Sequence, residues 1–179
     1  MTTALLIIDV QQALCTGEYK VFEFERVIAR INEVARKVRE AGAPVIIIQH
    51  QSQGGPLEYG TDGWQLAKGL EALPGDTYVR KSASDSFHRT NLHEELKARR
   101  IDTLIICGLQ SEFCVDTTTR RALALGYPVI LVADGHSTLN NSTLSAAQIS
   151  AHHNETLANI TSFDVRARVV PASKVRVEA

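Results

Sequence analysis

Apolar residues in this chain fall into two alternating patterns. Short continuous runs, Ala4 to Ile8, Pro44 to Gln49 and Thr103 to Cys107, are rich in Ile, Leu and Val. They read as strands buried on both faces, because a strand with one wet face alternates apolar and polar positions. Between them lie segments with apolar residues three and four apart. Phe24 to Glu40 places Val27, Ile28, Ile31, Val34, Ala35 and Val38 on one helical stripe, and Gly42 and Pro44 end it. Asn91 to Arg99 has Leu92 and Leu96 on one face, and Glu112 to Leu125 is closed by Gly126 and Pro128. Ser142 to Ile160 reads as mostly helical, and Trp64 to Leu70 as a short helix. Thr77 to Arg80 and Val129 to Val132 are further strands, with Val169 and Val170 as a last edge strand. Gln51 to Gly63 carries four glycines and a proline and is a loop.

Strand–helix units joined by short connections predict an α/β fold. We expect a single domain over residues 1–179, doubly wound, with a mostly parallel sheet flanked by helices in a Rossmann-like three-layer arrangement. A chain of 179 residues is long enough to bury one such core. Net charge is -1 and no polybasic run occurs, so neither a nucleic acid nor a membrane surface is an expected partner. No apolar run approaches the roughly 20 residues of a bilayer span. The first run is short, is interrupted by Asp9 and has no basic region before it, which argues against a signal peptide. Three widely spaced cysteines make no disulfide framework, so a cytoplasmic setting is expected.

Open α/β sheets bind ligands beyond the carboxyl ends of their strands. Asp9 and Gln11 follow the first strand, Gln49 and His50 close the second, and Lys81 and then Ser84-Asp85-Ser86-Phe87 follow the third. The turn Gln110 to Cys114 follows the fourth strand, and Asp134 and His136 the fifth. Ser111 is a plausible N-cap, which sets Cys114 in a first helical turn, where the positive end of the helix dipole favours thiolate. An acid, an ammonium and a thiol on one rim suit covalent hydrolysis. Asp9 takes the thiol proton, Lys81 holds the thiolate and orients Asp9, and Cys114 adds to a trigonal carbon. Backbone N–H groups of Gln110 and Cys114 offer an oxyanion hole. Gln11, His50, Trp64, Phe87, Phe113 and His136 are expected to line the pocket, since small-ligand sites combine aromatic walls with a few polar groups. Cys107 sits inside an apolar strand and reads as core, and Cys15 as a bystander. His88, His93, His152 and His153 read as surface or helix residues, and the six histidines lack metal-ligand spacing.

Three stretches then carry a resemblance: Leu6-Ile7-Ile8-Asp9-Val10-Gln11, Val79-Arg80-Lys81-Ser82-Ala83-Ser84-Asp85-Ser86-Phe87, and Cys107-Gly108-Leu109-Gln110-Ser111-Glu112-Phe113-Cys114-Val115. In this order and spacing the chain resembles the isochorismatase-like cysteine hydrolases, a group that includes isochorismatases, nicotinamidases and small amidases. The resemblance implies that fold, a catalytic triad of Asp9, Lys81 and Cys114, and a cis peptide at Leu109–Gln110 before the nucleophile turn. It also implies a hydrogen bond from Gln11 to the triad, a small-molecule substrate, no cofactor, and a homo-oligomer, dimer or tetramer. Metal-dependent nicotinamidases carry Asp-x-His and further histidines after the second strand. Here that stretch is Gln49-His50-Gln51-Ser52, with no acid before Glu58, so no metal is expected and the metal-free amide hydrolases are the nearer branch.

The function expected is cysteine-dependent hydrolysis of an amide-type C–N bond through a thioester on Cys114. One alternative is isochorismatase-type hydrolysis of a vinyl ether, which turns on proton transfer from the acid. A remote alternative is a non-catalytic receiver-like signalling module. Receivers need an acidic cluster for Mg²⁺, whereas Gln11 stands where a second acid would help Asp9.

Overall fold

The continuous apolar runs are buried on both faces because they sit at the centre of a sheet. The computed structural model describes residues 2–177. Its strands are β1 (Thr3–Ile8), β2 (Val45–His50), β3 (Thr77–Lys81), β4 (Thr103–Leu109), β5 (Val129–Ser137) and β6 (Ala167–Val170). They form one six-stranded sheet in the order β3-β2-β1-β4-β5-β6. Every neighbouring pair is parallel, so the expected mostly parallel sheet is wholly parallel. All of β1 is buried.

Helices cover both faces. They are α1 (Gln12–Cys15), α2 (Phe24–Glu40), α3 (Leu92–Ala98), α4 (Asp116–Ala124) and α5 (Ala146–Ala158). The apolar stripe of α2 packs on Leu5, Ile7, Ile47 and Ile105. On the other face Leu92 and Leu96 of α3, Ala122 and Leu123 of α4, and Leu157 of α5 meet Leu6, Ile8, Ile46, Ile48 and Ile106. Each fully buried Leu or Ile contributes about 1.5–3 kcal/mol of transfer free energy, which is why the apolar pattern dictates the layers. No helix among the described residues is long and apolar enough to cross a membrane.

Strand order reverses between β1 and β4, and at such a switch point the connections diverge and leave a crevice at the carboxyl ends. Gly108 lets the two strands close tightly there. Its φ is +123°, and a Cβ at this position would lie 2.1 Å from the Ile8 carbonyl oxygen.

Three local features differ from the sequence expectations. Trp64 to Leu70 forms turns, not a helix. Its backbone is tied instead to the chain after β1: Gln12 N–H donates to the Gln65 carbonyl, and Ala67 N–H donates to the Val10 carbonyl. Those long-range bonds consume the groups a helical ladder would use. The helix expected from Glu112 begins with a π turn, Ser111–Val115, and becomes α-helical only at Asp116. The last helix starts later than Ser142, at Ala146. Ser145 is its N-cap, in a reciprocal capping box with Gln148.

β5 also runs further than Val132. It pairs Val129–Leu131 with Leu104–Ile106, bulges, and resumes as His136 beside Gly108 and Ser137 beside Leu109. Such an irregularity re-aims side chains near a strand end.

Candidate active site

The neighbouring strands β3, β2, β1 and β4 each deliver one group to a common point. Lys81 is the last residue of β3 and lies in register with His50, the last of β2. Asp9 follows β1 at φ +52°, its N–H donated to the Ile48 carbonyl at 2.9 Å. Cys114 sits in the π turn after β4. The Lys81 ammonium is the centre of the cluster. Nζ lies 2.7 Å from Asp9 Oδ2, 3.2 Å from Cys114 Sγ, 3.2 Å from His50 Nδ1 and 3.0 Å from the Ala83 carbonyl oxygen. The structure therefore brings Asp9, Lys81, Cys114 and His50 together.

Both charged partners are out of water: the Lys81 side chain is 0% exposed and that of Asp9 1%. A buried pair of this kind depends on having its remaining hydrogen-bonding capacity met. The three N–H donors of the ammonium are all met, shared among four acceptors within reach: Asp9, Ala83, His50 and Cys114. The acceptors of Asp9 are not all met: Oδ1 is buried and has no hydrogen-bond partner among the described residues. One carboxylate oxygen is therefore held by Lys81, and the other is open to a proton.

Burial, reinforced by the Asp9 charge, pushes the Cys114 thiol up to about 12 against the opposing pull of Lys81. This reverses the expectation that the helix start would favour thiolate. The sulfur rests as a thiol. Burial, then the Lys81 charge, lowers the His50 pKa, so the ring is neutral and Nδ1 accepts from the ammonium. One prediction follows for the free enzyme. Alkylation of Cys114 by iodoacetamide, read by mass, should climb about tenfold per pH unit from pH 7 through pH 10, past the point where an ordinary thiol near 8.5 levels off. A plateau below pH 9 would mean a preformed thiolate and would contradict a resting thiol.

Asp9, His50 and Cys114 also present one oxygen, one nitrogen and one sulfur atom within 4.8 Å of one another. A cation could be held by such a set. Here the Lys81 ammonium stands among all of these atoms and supplies the positive charge itself.

The remaining expected residues are placed as follows. Gln11 is buried, and its amide is fully used: Oε1 accepts from His50 N–H, and Nε2 donates to the carbonyls of His50 and Trp64. It fixes the end of β2 relative to the crossing loop, not the triad directly. Trp64 sits edge-on to Tyr59 and lines a groove of about 880 Å³ with Gln49, Gln51, Arg80 and Asn91, a groove that does not include the triad. Phe87 is in the core beside Tyr127 and His93, away from a pocket wall. Phe113 is 53% exposed next to Cys114. His136 lies inside, bonded to Ser111 and Asn154. Ser111 is not the N-cap; Gln110 holds that position, and the Ser111 hydroxyl faces His136 and Ser150. The peptide bond between Leu109 and Gln110 is cis. Cys107 is core and Cys15 is buried at the end of α1.

Sequence reasoning missed the Ala83 carbonyl, Ser150 and Asn154. The last two lie within a helix, where no local pattern marks Ser150 as the partner of a turn residue 39 positions away or Asn154 as the partner of a strand residue 18 positions away.

Comparison with known proteins bears on this geometry. The isochorismatase domain model matches residues 3–162. A streptothricin hydrolase of Streptomyces noursei is 35% identical over 176 residues, covering 94% of this chain and 64% of its own length, so this chain spans just under two thirds of that relative. A ureidoacrylate amidohydrolase of Stutzerimonas stutzeri (strain A1501) is 28% identical, covering 74% of this chain and 68% of that protein. The crystal structure of an isochorismatase from Pseudomonas putida KT2440 superposes with a TM-score of 0.90 at 30% identity, covering 97% of this chain and 90% of the other. The sheet order, the reach of the match along the sequence and the shared architecture agree: this chain belongs to the isochorismatase family.

Proposed function

We propose that this protein hydrolyses a small amide-type C–N bond through a thioester on Cys114. The observation that carries the reading is the Lys81 ammonium, bonded at once to Asp9 Oδ2 and to Cys114 Sγ. It joins an acceptor for the thiol proton to the sulfur that loses it. The relative named a ureidoacrylate amidohydrolase supports C–N over C–O cleavage.

The steps follow from the groups present. Sγ adds to the carbonyl carbon while its proton passes to the Asp9 carboxylate. Lys81 stays within reach of both and stabilises the charge on sulfur as it develops. The oxyanion that forms is accommodated by the N–H groups of Gln110, which caps the π turn, and of Cys114 within it, where preorganised donors act without reorganisation. Asp9 returns the proton to the departing nitrogen, the C–N bond breaks, and an amine leaves. Water then adds to the thioester and gives its proton to Asp9. The C–S bond breaks, the sulfur takes that proton back, and a carboxylic acid is released.

The thioester is the test. With a slowly turned-over amide, rapid acid quenching should leave the acyl group on the peptide that contains Cys114, visible by mass. Turnover of the amide with no adduct at any time point would remove the covalent mechanism, and turnover of a vinyl ether but of no amide would favour hydrolysis by proton transfer.

A further inference from the structure

We propose that His136 is a positioning residue for the nucleophile turn: it holds Ser111, the first residue of the π turn, and through it fixes where Cys114 stands. The role rests on the reading of Cys114 as nucleophile, but the contact itself does not.

The hydrogen-bond directions can be assigned from one end. Asn154 Nδ2 donates to the Ala133 carbonyl at 3.0 Å, which leaves Oδ1 facing His136 Nε2 at 2.8 Å. An amide oxygen only accepts, so Nε2 carries the proton. Burial lowers the pKa of this ring, which is 4% exposed, and keeps it neutral. Nδ1 is therefore bare and accepts the Ser111 hydroxyl proton at 2.7 Å. Ser111 Oγ in turn accepts from the Ser150 hydroxyl at 2.9 Å. Every donor in the chain from α5 through β5 to the turn has an acceptor. A fully satisfied buried network of this kind is rigid, whereas a partly satisfied one is costly.

Two further contacts point the same way. His136 stands in register beside Gly108, so the ring is carried to the turn by the resumed pairing of β5 with β4. Thr138, just beyond β5, donates to Glu112 Oε1 at 2.9 Å, a second tie between the same strand end and the same turn. The turn also closes on itself, with Phe113 and Val115 N–H both donated to the Gln110 carbonyl. A shift at Ser111 therefore moves the sulfur. Displacing a reacting group by about 1 Å costs on the order of 10²-fold in rate.

Two amide substitutions separate this role from mere support. His136→Asn keeps a polar atom near the Nδ1 position and hence the Ser111 contact. His136→Gln keeps one near the Nε2 position, on the Asn154 side. Both remove the ring, so thermal midpoints should fall alike. With p-nitrophenyl acetate as probe and Cys114→Ala as blank, kcat should drop about 10²-fold in His136→Gln with KM little changed, and by no more than about tenfold in His136→Asn. Ser111→Ala should match His136→Gln, and the double variant should lose no more, because one link is removed in each. Ser111→Ala also carries the test if the His136 variants fail to fold.

A readout without turnover accompanies it. Freed from the Asp9 carboxylate, Cys114 should label with iodoacetamide at least threefold faster in His136→Gln and at the parent rate in His136→Asn. Equal kcat losses in the two His136 variants, additive losses with Ser111→Ala, or a raised KM at unchanged kcat would each overturn the proposal. If Cys114→Ala hydrolyses the probe as fast as the parent, the nucleophile reading fails; the labelling ranking still decides whether His136 sets the position of the sulfur.

Discussion

Cys114→Ala should reduce turnover to the uncatalysed background, a loss on the order of 10⁴-fold or more, with the fold unchanged. The size of the effect follows from what else is available. Cys15 and Cys107 are buried at 2% and 0% exposure, and burial raises both thiols. Neither shares the Asp9–Lys81 pair, so neither replaces the missing sulfur. Cys114→Ser keeps a hydroxyl near Lys81 but offers a far poorer nucleophile, and it should fall to the same floor. Circular dichroism and the thermal midpoint check the fold; turnover of an amide substrate checks the chemistry. Activity within tenfold of the parent in the alanine variant would end the covalent mechanism.

Lys81→Met should cost both activity and stability. Methionine fills much of the space but leaves Asp9 Oδ2 unpaired in the interior beside an Oδ1 that already lacks a partner. Breaking a buried pair by removing one member costs about 3–5 kcal/mol, because the other charge stays uncompensated. For a domain of this size that lowers the thermal midpoint by roughly 6 to 20 °C. Adding Asp9→Asn should recover most of the stability, since the orphaned charge is gone, while activity stays lost. The cycle thus separates holding the site together from running the reaction. A Lys81→Met protein as stable as the parent, or strictly additive midpoints, would mean that the pair is not the keystone of this end of the sheet.

The parts of the molecule legible in the sequence are those that one local pattern decides. β1, β2 and β4 are central and buried on both faces, so their apolar runs are unbroken. α2 carries its stripe because it lies along one face of the sheet. Asp9, His50 and Lys81 stand out by ending or following neighbouring strands on the carboxyl rim of the sheet. What stayed hidden depends on partners distant in the chain. Trp64 to Leu70 has helical spacing, but its backbone is claimed by residues 10–13. Ser111 has the right residue type for a cap, but its hydroxyl is claimed by His136, 25 residues on. Phe87 follows a strand and resembles a pocket wall, yet packs on Tyr127. The protonation of Cys114 depends on burial and on Asp9, and the sequence contains no measure of either.

The sheet pairs its first strand with partners that come late. Thr3 lies opposite Thr103, and Ile8 opposite Gly108. During synthesis at about 5–20 residues per second, β1 therefore waits on the order of 5 to 20 seconds for that neighbour to be made. Through that interval β2 pairs one edge of β1, and α2, then β3 and α3, come to cover the pair, but the other edge of the β-prone run Leu5-Leu6-Ile7-Ile8 stays open. The nascent chain is thus most exposed to self-association before β4 emerges, and the same strand that borders the crevice also ends that vulnerable period.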